Sequence, residues 1–193
     1  MDYKKIFLQM GICKGDTLQV SSSFLRTLLY YRKHNKKFSF FNFLNHLKKF
    51  IGNDGTLLLP AFNWDFCKKI PFNPKKTLSQ TGALSNYALN DKDFVRTQNP
   101  IYSFLIFGKN SEYIKSLKHF SCFDTNSPFG YLVENNGKIL FIDIDYKKAL
   151  TLVHVAEELV NVEYRKHKIF SGKIRKKNSL IRVKYKMLLG IRC

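Results

Sequence analysis

Gly52-Asn53-Asp54-Gly55-Thr56-Leu57-Leu58-Leu59-Pro60-Ala61-Phe62-Asn63-Trp64 opens on a turn and runs directly into the apolar stretch Thr56–Leu59. Two glycines around Asn-Asp mark the turn. An apolar run this short, with no polar alternation, predicts a strand buried on both faces, and such a strand requires helices on both sides of its sheet. Upstream, apolar residues at Phe40, Phe43, Leu44, Leu47 and Phe50 follow a helical spacing. Before them, Thr17–Ser22 alternates apolar and polar residues as a strand does, residues 1–9 suit a short helix, and Phe24–Tyr31 fits either helix or loop. Downstream, residues 63–80 form a long loop with Pro71 and Pro74, and Thr81–Leu89 and Ser111–Leu117 read as helices. Ser103–Phe107 and Ile139–Ile144 read as strands and Ala149–Val160 as a long helix. Strands alternating with helices predict an α/β layered fold. The three continuous apolar strands, Leu57–Leu59, Leu105–Phe107 and Ile139–Phe141, are expected to be central neighbours, more buried than Thr17–Ser22.

The 193 residues suffice for one domain, and 45% hydrophobic with 15% aromatic content supports a packed core. No apolar run approaches the ~20 residues of a membrane span. The charged N-terminus carries no signal-peptide pattern, so a cytoplasmic protein without a membrane partner is expected. Cys13, Cys67, Cys122 and Cys193 are widely spaced, which excludes a zinc ribbon and a disulfide scaffold. No metal-ligand spacing, P-loop or GxGxxG occurs, and no metal is expected. The net charge of +19 suits a polyanionic partner. However, eleven Lys/Arg with no acid crowd into residues 165–193 and no nucleic-acid motif accompanies them, so no specific nucleic acid is expected. Residues 173–193 read as a basic tail after a domain at 1–172. Leu180, Ile181, Val183 and Tyr185 suggest one strand in that tail, which is expected to be the least well packed part of the chain.

Among the five histidines, His154 alone has well-spaced carboxylates on its own predicted helix, Glu157 at i+3 and Glu158 at i+4. A carboxylate bonded to one ring nitrogen would fix the tautomer and leave the other nitrogen as a base. On spacing alone, a solvated helix face is the more ordinary reading. The hydroxyls and N–H groups of Ser21, Ser22 and Ser23, at the end of a strand, suit either a bound anion or a helix cap. Asn63 and Trp64 end the buried strand, and Ser127 precedes Pro128 in a turn. Arg26, Arg32, Lys33, Lys36 and Lys37 make a basic cluster near the first strand.

Several segments, in order, resemble the aminoglycoside 3-N-acetyltransferase family. Met10–Ser23 is similar to its opening turn, strand and "VHSS" signature, with Ser21 where His is usual. Gly52–Trp64 resembles "GxxGTLLMPTF", and Phe72-Asn73-Pro74 with Ser79–Ser85 resembles "FdP…sxtGaLse". Arg96-Thr97-Gln98-Asn99-Pro100 resembles "RSxHP" without its His, and Asn126–Gly130 is similar to the "SPfG" turn. Thr151–Glu158 resembles the "TxxHxAEe" helix, trailed by Val162-Glu163-Tyr164-Arg165. The resemblance implies acetyl transfer from acetyl-CoA to an amine of an amino sugar or aminoglycoside-like acceptor, on a layered α/β/α fold unrelated to GNAT. It implies His154 as base and Glu157 as its orienter, with Glu158 and Trp64 toward the acceptor. It further implies Ser21, Ser22, Ser23, Asn63 and Ser127 toward acetyl-CoA. The family's chains run on past the point where this sequence stops. A fold lacking C-terminal elements is therefore expected, and the alternative function is a non-catalytic remnant with at most CoA binding.

Overall fold

The computed structural model describes residues 2–190; Cys193 and the last residues of the expected tail lie outside the described residues. Helix α1 (Tyr3–Gln9) is capped by Asp2, whose carboxylate accepts the Lys5 N–H. Strand β1 (Thr17–Ser22) is followed by α2 (Leu25–Lys33), α3 (Phe40–Ile51) and β2 (Thr56–Pro60). A 3-10 turn at Asp65–Lys68 and a long loop lead to α4 (Ala83–Ala88), β3 (Val95–Arg96), β4 (Phe104–Gly108) and α5 (Ser111–Ser116). The chain continues through α6 (Pro128–Glu134), β5 (Lys138–Ile142), α7 (Tyr146–Ala149) and α8 (Val153–Leu159). It ends in a hairpin of β6 (Arg165–Lys176) and β7 (Ser179–Gly190).

The main sheet has the order β3-β4-β2-β1-β5. Strand β1 pairs in parallel with both β2 and β5, while β4 is antiparallel to β2 and β3. Alternate residues of each strand go to opposite faces. Leu18, Val20, Leu57, Leu59 and Leu105 pack with Phe7, Phe43, Leu47, Ile51 and Leu84, which come from α1, α3 and α4. Leu58, Phe104 and Ile106 pack on the other face with Ile114, Phe129, Leu132 and Val155 of α5, α6 and α8. Strands β2 and β4 are thus covered on both sides, as their unbroken apolar runs require.

Three expectations are corrected. Strand β5 is not central: β1 stands between it and β2, and most of β5 is half-buried while β1 is buried almost throughout. The polar alternation of β1 misleads because Gln19 and Ser21 do not face water. Gln19 is 1% exposed and donates from Nε2 to the Ser21 hydroxyl at 2.8 Å. The single helix expected at Ala149–Val160 is two, broken where Leu150 leaves helical geometry at φ −78°, ψ 62°. The basic tail is also no loosely packed single strand. Residues 165–190 form one hairpin paired from Arg165↔Gly190 to Lys176↔Ser179, so the division expected at 172/173 falls inside β6. Its Ile174, Met187 and Leu188 enter the core with Phe66 and Phe72. Gly172 lies so close over the buried Phe66 ring that an added Cβ would sit 2.6 Å from it. Most of the like charges that argued against order are carried on exposed residues of the hairpin, where water screens them, while Arg165 and Lys186 pair with Glu157 and Glu158.

Candidate active site

The carboxyl ends of β5, β1 and β2, the three parallel strands, open into one cleft of about 570 Å³. Ligand sites of α/β sheets form at this edge because the loops leaving parallel strands diverge there. Ser21, Ser22 and Ser23 form one wall. Past Ser23 the backbone reverses through Phe24, a non-glycine residue at φ 58°. That conformation is unfavourable for a side chain. It is held by the rings of Phe38, Phe40 and Phe43, at centroid distances of 5.0, 5.3 and 5.2 Å. The opposite wall is Pro60, Phe62, Trp64 and the segment Gln80-Thr81-Gly82. That segment is laced to the end of β2: Gln80 N–H donates to Phe62 O at 2.8 Å, Thr81 Oγ1 to Pro60 O at 3.1 Å, and Ser85 Oγ to Pro60 O at 2.6 Å. Gly82, at φ +141°, abuts Ser22, and a Cβ there would lie 2.5 Å from the Ser22 carbonyl oxygen. Only glycine lets the two walls approach this closely.

His154 closes the cleft from the first turn of α8. Its Nδ1 lies 2.5 Å from Glu157 Oε2, and its ring packs edge-on against Phe123 at 4.9 Å. Its Nε2 has no hydrogen-bond partner within the cleft among the described residues. Glu157 is held from the other side as well. Tyr164 Oη donates to Oε1 at 3.1 Å, Arg165 Nη2 donates to Oε1 at 3.2 Å, and Arg165 Nε lies 3.1 Å from Oε2. Burial by itself would raise the Glu157 carboxyl, but the bonds from His154 and Arg165 outweigh it and hold the group below the usual carboxylate range. An ionised carboxylate accepts only, so the His154 nitrogen facing it is the one that carries hydrogen. The nitrogen on the cleft side is then left with its lone pair in the neutral ring.

Residues 39–190 match the family model for aminoglycoside 3-N-acetyltransferase. The chain belongs to this acetyltransferase family. Among solved structures, an AAC-IIIb binary complex with CoASH is 18% identical, with a TM-score of 0.79 over 95% of this chain and 73% of that one. A sisomicin-bound AAC-VIa is 17% identical, with a TM-score of 0.79 over 96% and 74%. The YokD protein from Bacillus subtilis is 20% identical, with a TM-score of 0.78 over 96% and 79%. At these identities the likeness is one of fold. The search of curated proteins gave no match.

Within this acetyltransferase-family fold, the residues singled out in the sequence divide into two sets. Ser21, Ser22, Ser23, Trp64 and His154 meet around the cleft, and Glu157 stands directly behind His154. Asn63, Ser127 and Glu158 are not brought to it. Asn63 is 4% exposed and ties its loop, donating to Leu78 O at 3.0 Å and accepting the Asp65 N–H at 2.9 Å. Ser127 is fully buried and caps α6, its hydroxyl accepting the Gly130 N–H at 3.3 Å. Glu158 points away from His154, accepting from Ser121 Oγ at 2.6 Å and pairing with Lys186 Nζ at 3.3 Å. Arg96 of the "RSxHP"-like segment is structural too. It lies buried over the Phe72 ring and donates to Ala61 O at 2.8 Å and Thr77 O at 2.5 Å, and burial lowers its pKa to about 10. Sequence reasoning missed Tyr102, Lys148 and Thr151 of the lining and the Tyr164–Arg165 brace. Tyr164 and Arg165 stood inside a quoted motif segment, but nothing in their spacing from Glu157 showed that the chain turns back onto α8.

Among the described residues no helix is long and apolar enough to cross a membrane, and no group of three His, Cys, Asp or Glu side chains could hold a metal ion.

Proposed function

We propose that this chain is an N-acetyltransferase that moves an acetyl group from acetyl-CoA to an amine of an amino-sugar-type acceptor. The observation that carries the reading is the His154 ring, fixed through Nδ1 by Glu157 with Nε2 open to the cleft. The cleft fits acetyl-CoA chemically. Ser21, Ser22, Ser23 and Gln80 offer hydrogen bonds suited to the amides of a pantetheine arm, and Phe62, Trp64 and Tyr102 offer apolar walls to its carbon chain. When bound, acetyl-CoA supplies the acetyl group as a thioester.

The remaining work falls to the chain. An amine attacks only through a free lone pair, so a proton must leave it. His154 Nε2 takes that proton, as a base whose ordinary pKa lies near neutral pH. Glu157 holds the ring orientation and stabilises the imidazolium that forms; as the new C–N bond replaces the thioester C–S bond, the imidazolium returns the proton to the departing CoA thiolate, which leaves as the free thiol. Tyr164 and Arg165 fix the carboxylate in turn, as positioning residues. The likeness to structures holding CoASH and sisomicin supports a CoA thioester and an amine-bearing sugar as the two classes of partner for this cleft.

The test is release of free thiol from acetyl-CoA in the presence of a panel of amino sugars, for the wild-type chain and for His154→Ala. Amine-dependent release that disappears in the variant is the expected result. Equal rates in both proteins would remove His154 from the chemistry, and absence of any amine-dependent release would end the transferase reading.

A further inference from the structure

The charge of the cleft bears on the class of acceptor, an inference that rests on the transferase reading above. Among the described residues Lys148 is the one Lys, Arg, Asp or Glu that lines the cleft. The acidic groups on the surrounding segments do not line the cleft, and each accepts hydrogen bonds within the fold. Glu157 sits behind His154 between Tyr164 and Arg165. Asp65 accepts from Gln80 Nε2 at 3.2 Å and from Asn63 Nδ2 at 3.3 Å. Asp143 accepts the Thr27 N–H at 2.6 Å, and Asp145 caps α7 by accepting the Lys147 N–H at 3.0 Å. The Lys148 ammonium, by contrast, has no hydrogen-bond or ion-pair partner among the described residues.

A polycation entering this cleft would shed water from several ammonium groups against walls that offer no counter-charge, beside a fixed cation. Burying unpaired charge is heavily disfavoured. The phosphates of acetyl-CoA do not repair this, because they lie at the end of the pantetheine arm remote from the thioester. An amine that carries its own anionic group meets the opposite situation. Its phosphate oxygens find a free ammonium at Lys148 in a charge-assisted contact, while its amine reaches His154. The whole-chain charge of +19 acts in the same sense, drawing anions in and slowing the approach of polycations. We propose that the acceptor is an amino sugar bearing a phosphate or a nucleoside diphosphate, held by Lys148, and not a polycationic aminoglycoside.

The experiment measures acetyl transfer to four amines: glucosamine, glucosamine 6-phosphate, a uridine-diphosphate-linked amino sugar and kanamycin. Each is also titrated by calorimetry into the CoA-saturated chain. A kcat/KM at least ten-fold higher for one or both anionic amines than for kanamycin is expected, and the two anionic arms separate a sugar phosphate from a nucleotide-linked sugar. Lys148→Glu should raise KM for the preferred anionic amine about ten-fold or more and improve kanamycin. Equal or better turnover of kanamycin overturns the proposal while leaving the transferase reading intact. A Lys148→Glu loss shared equally by all four amines also overturns it, because Lys148 then serves acetyl-CoA. If no amine is acetylated but the anionic ones bind more tightly than kanamycin, the transferase reading falls and the charge selectivity stands. If none binds, both fall.

Discussion

Glu157 and Glu158 follow one another on α8 and belong to different regions of the molecule. Glu157 turns toward the cleft and is buried between His154, Tyr164 and Arg165. Glu158 turns toward the hairpin and the loop before α6, and ties Ser121 and Lys186 together. Successive residues on a helix are about 100° apart, so one carboxylate faces His154 and its neighbour faces the hairpin. Both draw on the same hairpin, since Arg165 opens β6 and Lys186 lies in β7. The β6–β7 unit that looked like a basic appendage in the sequence therefore braces the carboxylate behind His154 and also packs against the core on one face of the sheet.

The largest effect that would sharpen this contrast is expected from His154→Ala, which removes the base while leaving the Glu157–Arg165 contact in place. Amine-dependent turnover should drop by roughly 10²–10⁴-fold, with the urea midpoint little changed. A similar loss in the Glu158→Gln protein would erase the distinction between the two faces of α8.

Glu157→Gln comes next. It removes the charge and replaces one of the two acceptor oxygens by an NH2 donor, so His154 or Arg165 loses its acceptor, and turnover should fall by about 10–100-fold and stability by about 1–3 kcal/mol. Its pH dependence carries a sign. The Glu157 carboxyl is pushed up by burial but held down more strongly by its bonds to His154 and Arg165, so its folded-state pKa is below its unfolded one. That difference stabilises the fold above the unfolded carboxylate pKa and is lost as pH falls through the folded value. Urea titrations between neutral and acid pH should show the gap between wild type and Glu157→Gln closing on the acid side. A gap that stays constant through that range would mean the ionised carboxylate contributes no net stability.

Gly172→Ala probes the hairpin without touching the cleft. The new methyl group meets the ring of Phe66, which is 1% exposed and packed within the core. Stability should fall by about 1–3 kcal/mol from overpacking, read as a lowered thermal midpoint. Because β6 also carries Arg165, KM and kcat should be measured alongside. Full retention of both stability and rate would show that the hairpin docks loosely.

Glu158→Gln should give the smallest change. It keeps an acceptor for Ser121 and loses the pairing with the half-exposed Lys186, so a stability loss of up to about 1 kcal/mol is expected, with turnover within two-fold of wild type.

Much of this was legible in the residues. The turn at 52–55 and the leucines after it required a two-sided sheet, and β2 and β4 are buried on both faces. The His154–Glu157 spacing placed the two side chains together once α8 formed, because residues three apart share a helix face. Other elements misled for physical reasons. Gln19 and Ser21 bond each other, so polar alternation on β1 did not mean exposure. Asn63 and Ser127 have side chains that suit a ligand and a backbone cap equally well, and the caps took them.

By itself the sequence determined the local propositions: that strands follow the turn at 52–55 and run through 104–107, that 40–50 is a helix, and that His154 and Glu157 share a face. These depend on spacing along a few consecutive residues, which the chain states directly. Only the tertiary structure decided that β5 lies at an edge, that the basic tail closes on the core as a hairpin, and that Arg165 and Tyr164 reach back to Glu157. It also decided that Lys148 faces the cleft without a carboxylate opposite. Those outcomes depend on which distant segments share a buried surface. That choice is made by summed apolar burial and charge pairing across the whole chain, and no window of neighbouring residues records it.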